Sequence, residues 1–161
     1  MGNYLCFCKN YYISSDLNLD NLNYGDVDYF SLDNMEFTAK VVDVYDGDTC
    51  SVIFKLSNEY VKFKCRCLGY DSPEMKPRLN TPNREQEIQA AKKAKEYIEE
   101  LVLNKNVLVE FSKYDKYGRP LCKLYINKCV FCSKIKLCVN DLMIEKGYGY
   151  EYNGGKKKSF K

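Results

Sequence analysis

Asp46-Gly47-Asp48-Thr49, Asp71-Ser72-Pro73-Glu74, Arg119, and Arg66 five positions before Asp71 form a set of hard oxygen donors and guanidinium groups. Carboxylate oxygens are the ligands calcium and magnesium prefer. Arginine offers a planar fork that matches phosphate oxygens and stays charged at any usable pH. Binding a metal ion and a phosphate together, and cleaving a phosphodiester, is the chemistry such a set suggests. The chain contains no histidine, which removes histidine-metal nuclease motifs, ribonuclease-type His pairs and Ser-His-Asp hydrolysis. Each acid taken alone reads as a solvated turn residue. Asp48, Arg66, Asp71, Ser72, Glu74 and Arg119 brought together read as a site, because two carboxylates at one sheet edge repel unless a cation lies between them.

Something must bring these groups together. Phe37, Ala39 and Val41 alternate, then Val42 and Val44 take over the apolar phase, which predicts a bulged first strand ending near Tyr45. After the reversal at Asp46-Gly47, a second strand alternates Cys50, Val52, Phe54 and Leu56. A third alternates Val61, Phe63, Cys65 and Cys67, with Lys62, Lys64 and Arg66 on its other face. Antiparallel pairing of the second and third strands sets Asp48 beside Arg66 and Asp71. Pro73, Pro77 and Pro82 break up the next stretch. A helix is predicted over residues 84–103, with Asn83 as N-cap and a stripe of Ile88, Ala91, Ala94 or Lys95, Ile98, Leu101 and Val102. Strands Val107 to Ser112 and Leu121 to Asn127 flank the turn carrying Arg119. A short helix from Val139 to Lys146 is expected to bury Leu142 and Met143 and to stop at Gly147. The class is mainly β with helices (α+β). Five strands with a helix after the third is the order of an OB-type barrel, which limits the function little by itself.

The sequence resembles the staphylococcal nuclease-like (thermonuclease) family over about residues 36–151. The matching pieces are DGDT at 46–49, RCLGYDSPE at 66–74, DKYGRPL at 115–121 and VNDLMIEKGYG at 139–149. The resemblance implies an OB barrel with calcium-dependent phosphodiesterase activity on DNA and RNA that leaves 3'-phosphate ends. It implies calcium (one ion) on the carboxylates of Asp48 and Asp71 and the main-chain oxygen of Ser72, where the family usually has Thr. Glu74 would orient or deprotonate the attacking water, and Arg66 and Arg119 would clamp the phosphate. The family motif supports Tyr117 alone as a substrate-binding ring; Tyr114, flanking the same loop, and Tyr148 and Tyr150 could offer rings to a base by the same logic, with packing the other reading for Tyr114 and the favoured one for Tyr148 and Tyr150. A non-catalytic OB-fold module that binds nucleic acid or protein is the alternative. A third reading is an adaptor whose acidic segment recruits a partner.

At 161 residues and 45% apolar composition, one domain with tails is expected. The net charge of +3 is uneven: Lys9 stands against Asp16, Asp20, Asp26, Asp28 and Asp33, so the first 34 residues carry −4 and the remainder +7. A basic body suits a polyanion. The expected division is 1–10 a lipid-anchor segment, 11–34 an acidic Asn/Asp/Tyr-rich linker, 35–152 the nuclease domain, and 153–161 a basic tail. Gly2, Cys6 and Cys8 resemble an acylation signal for myristate and palmitate, with Cys6 where Ser or Thr is usual; a frayed start with chance cysteines is the other reading. The start lacks the basic-then-apolar order of a secretory signal. The expected setting is therefore intracellular, on the cytoplasmic face of a membrane if acylated, and the expected state is a monomer. Nine cysteines fit reduced core thiols better than a disulfide framework. In the stretch from Lys128 to Cys138, a hairpin with small apolar thiols is favoured over zinc at Cys129, Cys132 and Cys138 with Cys122. Lys76, Arg78 and Arg84 form a basic loop able to add a phosphate contact.

Overall fold

In the computed structural model, which describes residues 21–130, 133–155 and 157, the apolar alternation becomes a meander. The elements are β1 (Glu36–Asp46), β2 (Thr49–Leu56), β3 (Glu59–Cys67), β4 (Tyr70–Asp71), α1 (Arg84–Val102), β5 (Asn106–Tyr114), β6 (Pro120–Val130), β7 (Ser133–Cys138), α2 (Val139–Glu145) and β8 (Tyr150–Glu151). The strands run β3-β2-β1-β5-β6, and a parallel pairing of β3 with β6 at Arg66↔Leu121 and Cys67↔Cys122 closes them into a barrel. The expected mainly β, five-stranded OB-type architecture is what the chain forms, with one long and one short helix. The stretch after β6 folds back as β7, a hairpin added outside the barrel order.

The phase change in β1 is a real register shift between Val41 and Asp43, and it leaves Ala39, Val41 and Val44 all buried. The barrel interior has two textures. At one end Phe54 lies 4.4 Å from Phe37 and 5.2 Å from Phe111, ring centre to ring centre. Burying such a ring stabilises the fold by about 1.5–3 kcal/mol. At the other end, where β3 closes on β6, Cys50, Cys65, Cys67 and Cys122 are all buried, small enough to let the strands approach. Cys122 is thus committed to the barrel interior beside Cys67 and Cys65 and is not a hairpin thiol. Cys132 lies outside the described residues.

Helix α1 packs Ala91, Ala94, Ile98 and Val102 inward; Lys95 points out toward Glu99 at 3.7 Å. Asn83 precedes the helix, but its side chain makes no capping bond, because its backbone is left-handed at φ 55° and not in the extended region a side-chain cap needs. In α2, Val139, Asn140 and Met143 are buried, whereas Leu142 is only half-buried. The chain after α2 carries no aliphatic alternation that would announce a strand. Its Tyr150–Glu151 segment nevertheless pairs antiparallel with β4, Asp71 opposite Tyr150. Gly149 permits this approach: a Cβ there would sit 2.6 Å from the Tyr70 ring and 2.9 Å from the Asp71 carbonyl oxygen.

The chain divides into units Met1–Phe30 and Ser31–Lys161. In the first, residues 21–30 are exposed and hold a turn in which Asn23 N donates to Asp26 at 2.7 Å; Gly2, Cys6 and Cys8 lie outside the described residues. In the second, Leu32 is a wholly buried core member and Asn34 N donates to Phe111 O. Among the described residues no helix is long and apolar enough to cross a membrane.

Candidate active site

Three local devices bring the polar residues to one end of the barrel. The first is the β1–β2 turn. A Cβ on Gly47 would lie 2.8 Å from the Ser72 Cβ, so only glycine lets the turn settle onto the segment after β4. Tyr70, buried, donates its hydroxyl to Gly47 O at 2.7 Å and fixes that contact. The second is the β2–β3 ladder, which sets Thr49 opposite Arg66. The third is Asn140 at the start of α2. Its amide donates to Leu68 O and Cys122 O at 2.9 and 3.0 Å and accepts from Leu124 N at 3.0 Å. It thereby ties α2 to β6 and to the chain just after β3.

The result is one continuous network. Arg66 reaches Asp48 Oδ1 at 2.5 Å through Nη1 and Asp71 Oδ1 at 2.6 Å through Nη2. Asp48 Oδ2 also accepts from Ser72 N and Ser72 Oγ, both at 3.1 Å, and Thr49 Oγ1 donates to Asp48 Oδ1 at 2.9 Å. Arg119 joins through Nη1, which donates to Thr49 Oγ1 at 3.4 Å. Asp115 holds Arg119 from behind, accepting from Nε and Nη2 at 2.7 Å each. On the far side Tyr150 donates its hydroxyl to Asp71 Oδ2 at 3.0 Å. Lys157 Nζ lies 3.0 Å from Asp71 Oδ1 and 2.6 Å from Glu74 Oε1.

Asp48 and Asp71 are 3% and 1% exposed, so their charges are held out of bulk water. Burial opposes the charge on Arg66, but Asp48 and Asp71 outweigh it and hold the guanidinium more firmly protonated than usual. Asp46 goes the other way: burial and then the negative charge of Asp48 push its carboxyl up to about 6. Arg119, donating through its main chain and side chain, keeps Asp115 below the usual carboxylate range although burial opposes this.

These groups border a cleft of about 1000 Å³ lined by Asp48, Arg66, Ser72, Glu74, Tyr117 and Arg119 among others. The convergence of separate loops expected from the sequence is therefore present for Asp48, Arg66, Asp71, Ser72, Glu74 and Arg119. The tyrosines separate. Tyr117 lines the cleft, 72% exposed, with the Arg119 guanidinium 5.6 Å from its ring centre. Tyr114 ends β5 outside the cleft lining. Tyr148 stacks on Tyr97 of α1 at 4.6 Å and borders a separate small hollow with Pro73 and Glu87. Arg84 donates to Pro77 O at 3.2 Å, so it holds its own loop. Asp115 and Lys157 were missed as site residues, and Tyr150, read as a base platform or a packing residue, was not expected to bond Asp71. Asp115 is legible afterwards as the acid four positions before Arg119, whereas Tyr150 and Lys157 reach the site only because β8 pairs with β4.

The family model described as staphylococcal nuclease homologue matches residues 64–161, more than half of the chain. The chain belongs to the staphylococcal nuclease homologue family. The match begins inside β3, so Asp46, Asp48 and Thr49 are joined to the family segment by the β2–β3 ladder and the closed barrel. No curated protein matches the chain. Members of this family are nucleases, and its domains bind nucleic acid; a nuclease-like fold is accordingly established for this chain.

Proposed function

We propose that this staphylococcal nuclease homologue is an active calcium-dependent endonuclease that hydrolyses phosphodiester bonds of DNA and RNA and leaves 3'-phosphate ends. The observation that carries the reading is the Asp48–Arg66–Asp71 network joined through Thr49 to Arg119. A module that only binds has no use for two buried carboxylates and two arginines held in one chain of contacts.

The donor set fits a hard divalent cation. Asp48 and Asp71 both lie within hydrogen-bond distance of one guanidinium; the chain has no imidazole, and Cys67, the thiol on the lining, is buried with the other barrel cysteines. Among the described residues no set of three or more His, Cys, Asp and Glu is spaced as a metal cage. An ion here would be held by the two carboxylates and the Ser72 main-chain oxygen, fewer protein ligands than a closed cage, with water completing its shell. Family membership favours calcium; the ligand types also admit magnesium. When bound, the ion supplies Lewis acidity and orientation at the phosphate.

The remaining work falls to the chain's own residues. Arg66 and Arg119 enter the cleft from β3 and from the β5–β6 turn, and two guanidinium forks take the non-bridging oxygens of one phosphate, stabilising charge as it builds there. Asp115 restricts Arg119 to that orientation. Glu74, on the cleft lining and half-exposed, orients a water and accepts its proton, a task an ordinary carboxylate performs at neutral pH. Tyr117 offers its ring to a base beside the scissile bond. The acylation-like start would place this activity at the cytoplasmic face of a membrane.

The deciding experiment is cleavage of single-stranded DNA with added calcium and again with chelator. Chelator-sensitive cleavage is expected. Binding without cleavage at any calcium concentration would leave the OB-fold interaction module as the reading.

A further inference from the structure

We propose that the outward face of β3 is a docking track that leads an extended single-stranded polynucleotide into the cleft. The proposal rests on the nuclease reading only for what happens at the end of the track.

In β3 the inward positions Cys65 and Cys67 are buried, while Tyr60, Lys62 and Lys64 are exposed. With Arg66 they occupy alternate positions and so share one face, which runs directly to the guanidinium between Asp48 and Asp71. The neighbouring strand contributes Lys55 opposite Tyr60, Ile53 opposite Lys62 and Ser51 opposite Lys64. Beyond it β1 adds Lys40 opposite Ile53 and Asp43 opposite Ser51. On the rows of Tyr60, Lys62 and Lys64, Asp43 is the one acid named against Lys40, Lys55, Lys62 and Lys64; the Arg66 row runs through Thr49 to Asp46, at the cleft itself. The patch is cationic and adjoins the cleft.

Two aromatic rings complete it. Tyr60 is 78% exposed at the far end. Tyr45 lines the cleft at the near end, 55% exposed, and the Lys64 ammonium sits 3.7 Å from its ring centre. Lys64 is thereby held at the cleft mouth.

The rings select the ligand. Alternate residues of a strand repeat at roughly 6.6 Å, which lets Lys62, Lys64 and Arg66 follow the phosphates of a polynucleotide backbone. Tyr60 and Tyr45, exposed at the two ends of that row, add the preference for bases that are free to leave their stack. Unstacked bases are what an exposed tyrosine ring takes up, and a duplex keeps those base faces covered.

The test uses the full chain and a fluorescent single-stranded oligonucleotide of about twelve nucleotides. Binding is followed by anisotropy in chelator, so that it is read apart from cleavage. For the double variant Lys62→Ala/Lys64→Ala, the dissociation constant is expected to rise about tenfold, and the slope of log affinity against log salt to shrink by roughly 1.4, two phosphate contacts on a single strand. Tyr60→Ala is expected to weaken binding about fivefold or more with the salt slope retained. With calcium, the ratio of kcat/KM for the oligonucleotide to that for a dinucleotide should fall about tenfold in the lysine variant. Unchanged affinity and slope overturn the track, as does a loss on a blunt duplex as large as that on the single strand. A wild-type protein that binds in a Lys62- and Lys64-dependent manner yet never cleaves supports the track and sinks the nuclease reading. Calcium-dependent cleavage indifferent to both lysines does the reverse.

Discussion

Arg66 stands opposite Thr49 in the β2–β3 ladder, and from that register position its guanidinium reaches Asp48 before it and Asp71 after it. Strand side chains alternate faces, so a slip of one residue would turn Arg66 into the barrel and bring Cys65 or Cys67 out. The apolar side of β3 thus sets the position of its charged side: burying Cys65 and Cys67 is what delivers Arg66 to the acids.

Asp48→Ala removes a buried carboxylate that accepts from Arg66, Thr49, Ser72 N and Ser72 Oγ. Charge-assisted contacts of this kind are each worth about 1.5–3 kcal/mol, so the calcium concentration for half-maximal cleavage should rise by at least about tenfold. A calcium titration of the variant checks this, and an unmoved midpoint would put the ion elsewhere.

Glu74→Gln keeps the shape of the side chain and removes its basicity. Turnover should drop by about 100- to 10,000-fold, the range for losing a general base, with little movement of the calcium midpoint. Wild-type rates would take Glu74 out of the chemistry.

Lys157 bridges Asp71 and Glu74, and although burial opposes its charge, Glu74 and then Asp71 hold it more firmly protonated. Its ammonium would compete with the proposed ion for Asp71. Lys157→Ala should lower the calcium midpoint about two- to fivefold, the scale of a partly exposed ion pair; isothermal titration with calcium alone reads it, and a weaker affinity would contradict it.

Asn140→Ala leaves the Leu124 N–H and two carbonyl groups without their buried partner. Unsatisfied buried groups cost about 1–3 kcal/mol each, so the urea midpoint should drop markedly. A variant as stable as the wild type would show that α2 docks on its apolar residues alone.

If the proposed anchor operates, Gly2→Ala removes the attachment point of its N-myristoyl chain, and the variant should leave the membrane fraction for the supernatant. Identical fractionation of variant and wild type would end the anchor proposal.

The sequence by itself determined the strand and helix order, the bulge in β1 and the donor set. These follow from local alternation, from glycine and proline punctuation, and from short motifs whose residue types carry their chemistry with them. The family motif singled out Tyr117, which borders the cleft, but nothing along the chain names Tyr97 as the ring on which Tyr148 stacks. The sequence was silent on the Tyr150 bond to Asp71 and on Lys157, because β4 and β8 are two residues each and leave no periodic trace. Their pairing depends on Gly149 passing close to Tyr70 and on a barrel already closed between Cys67 and Cys122. Such contacts join residues about eighty positions apart. Only the folded chain brings them together, because each depends on several distant segments being in place at once.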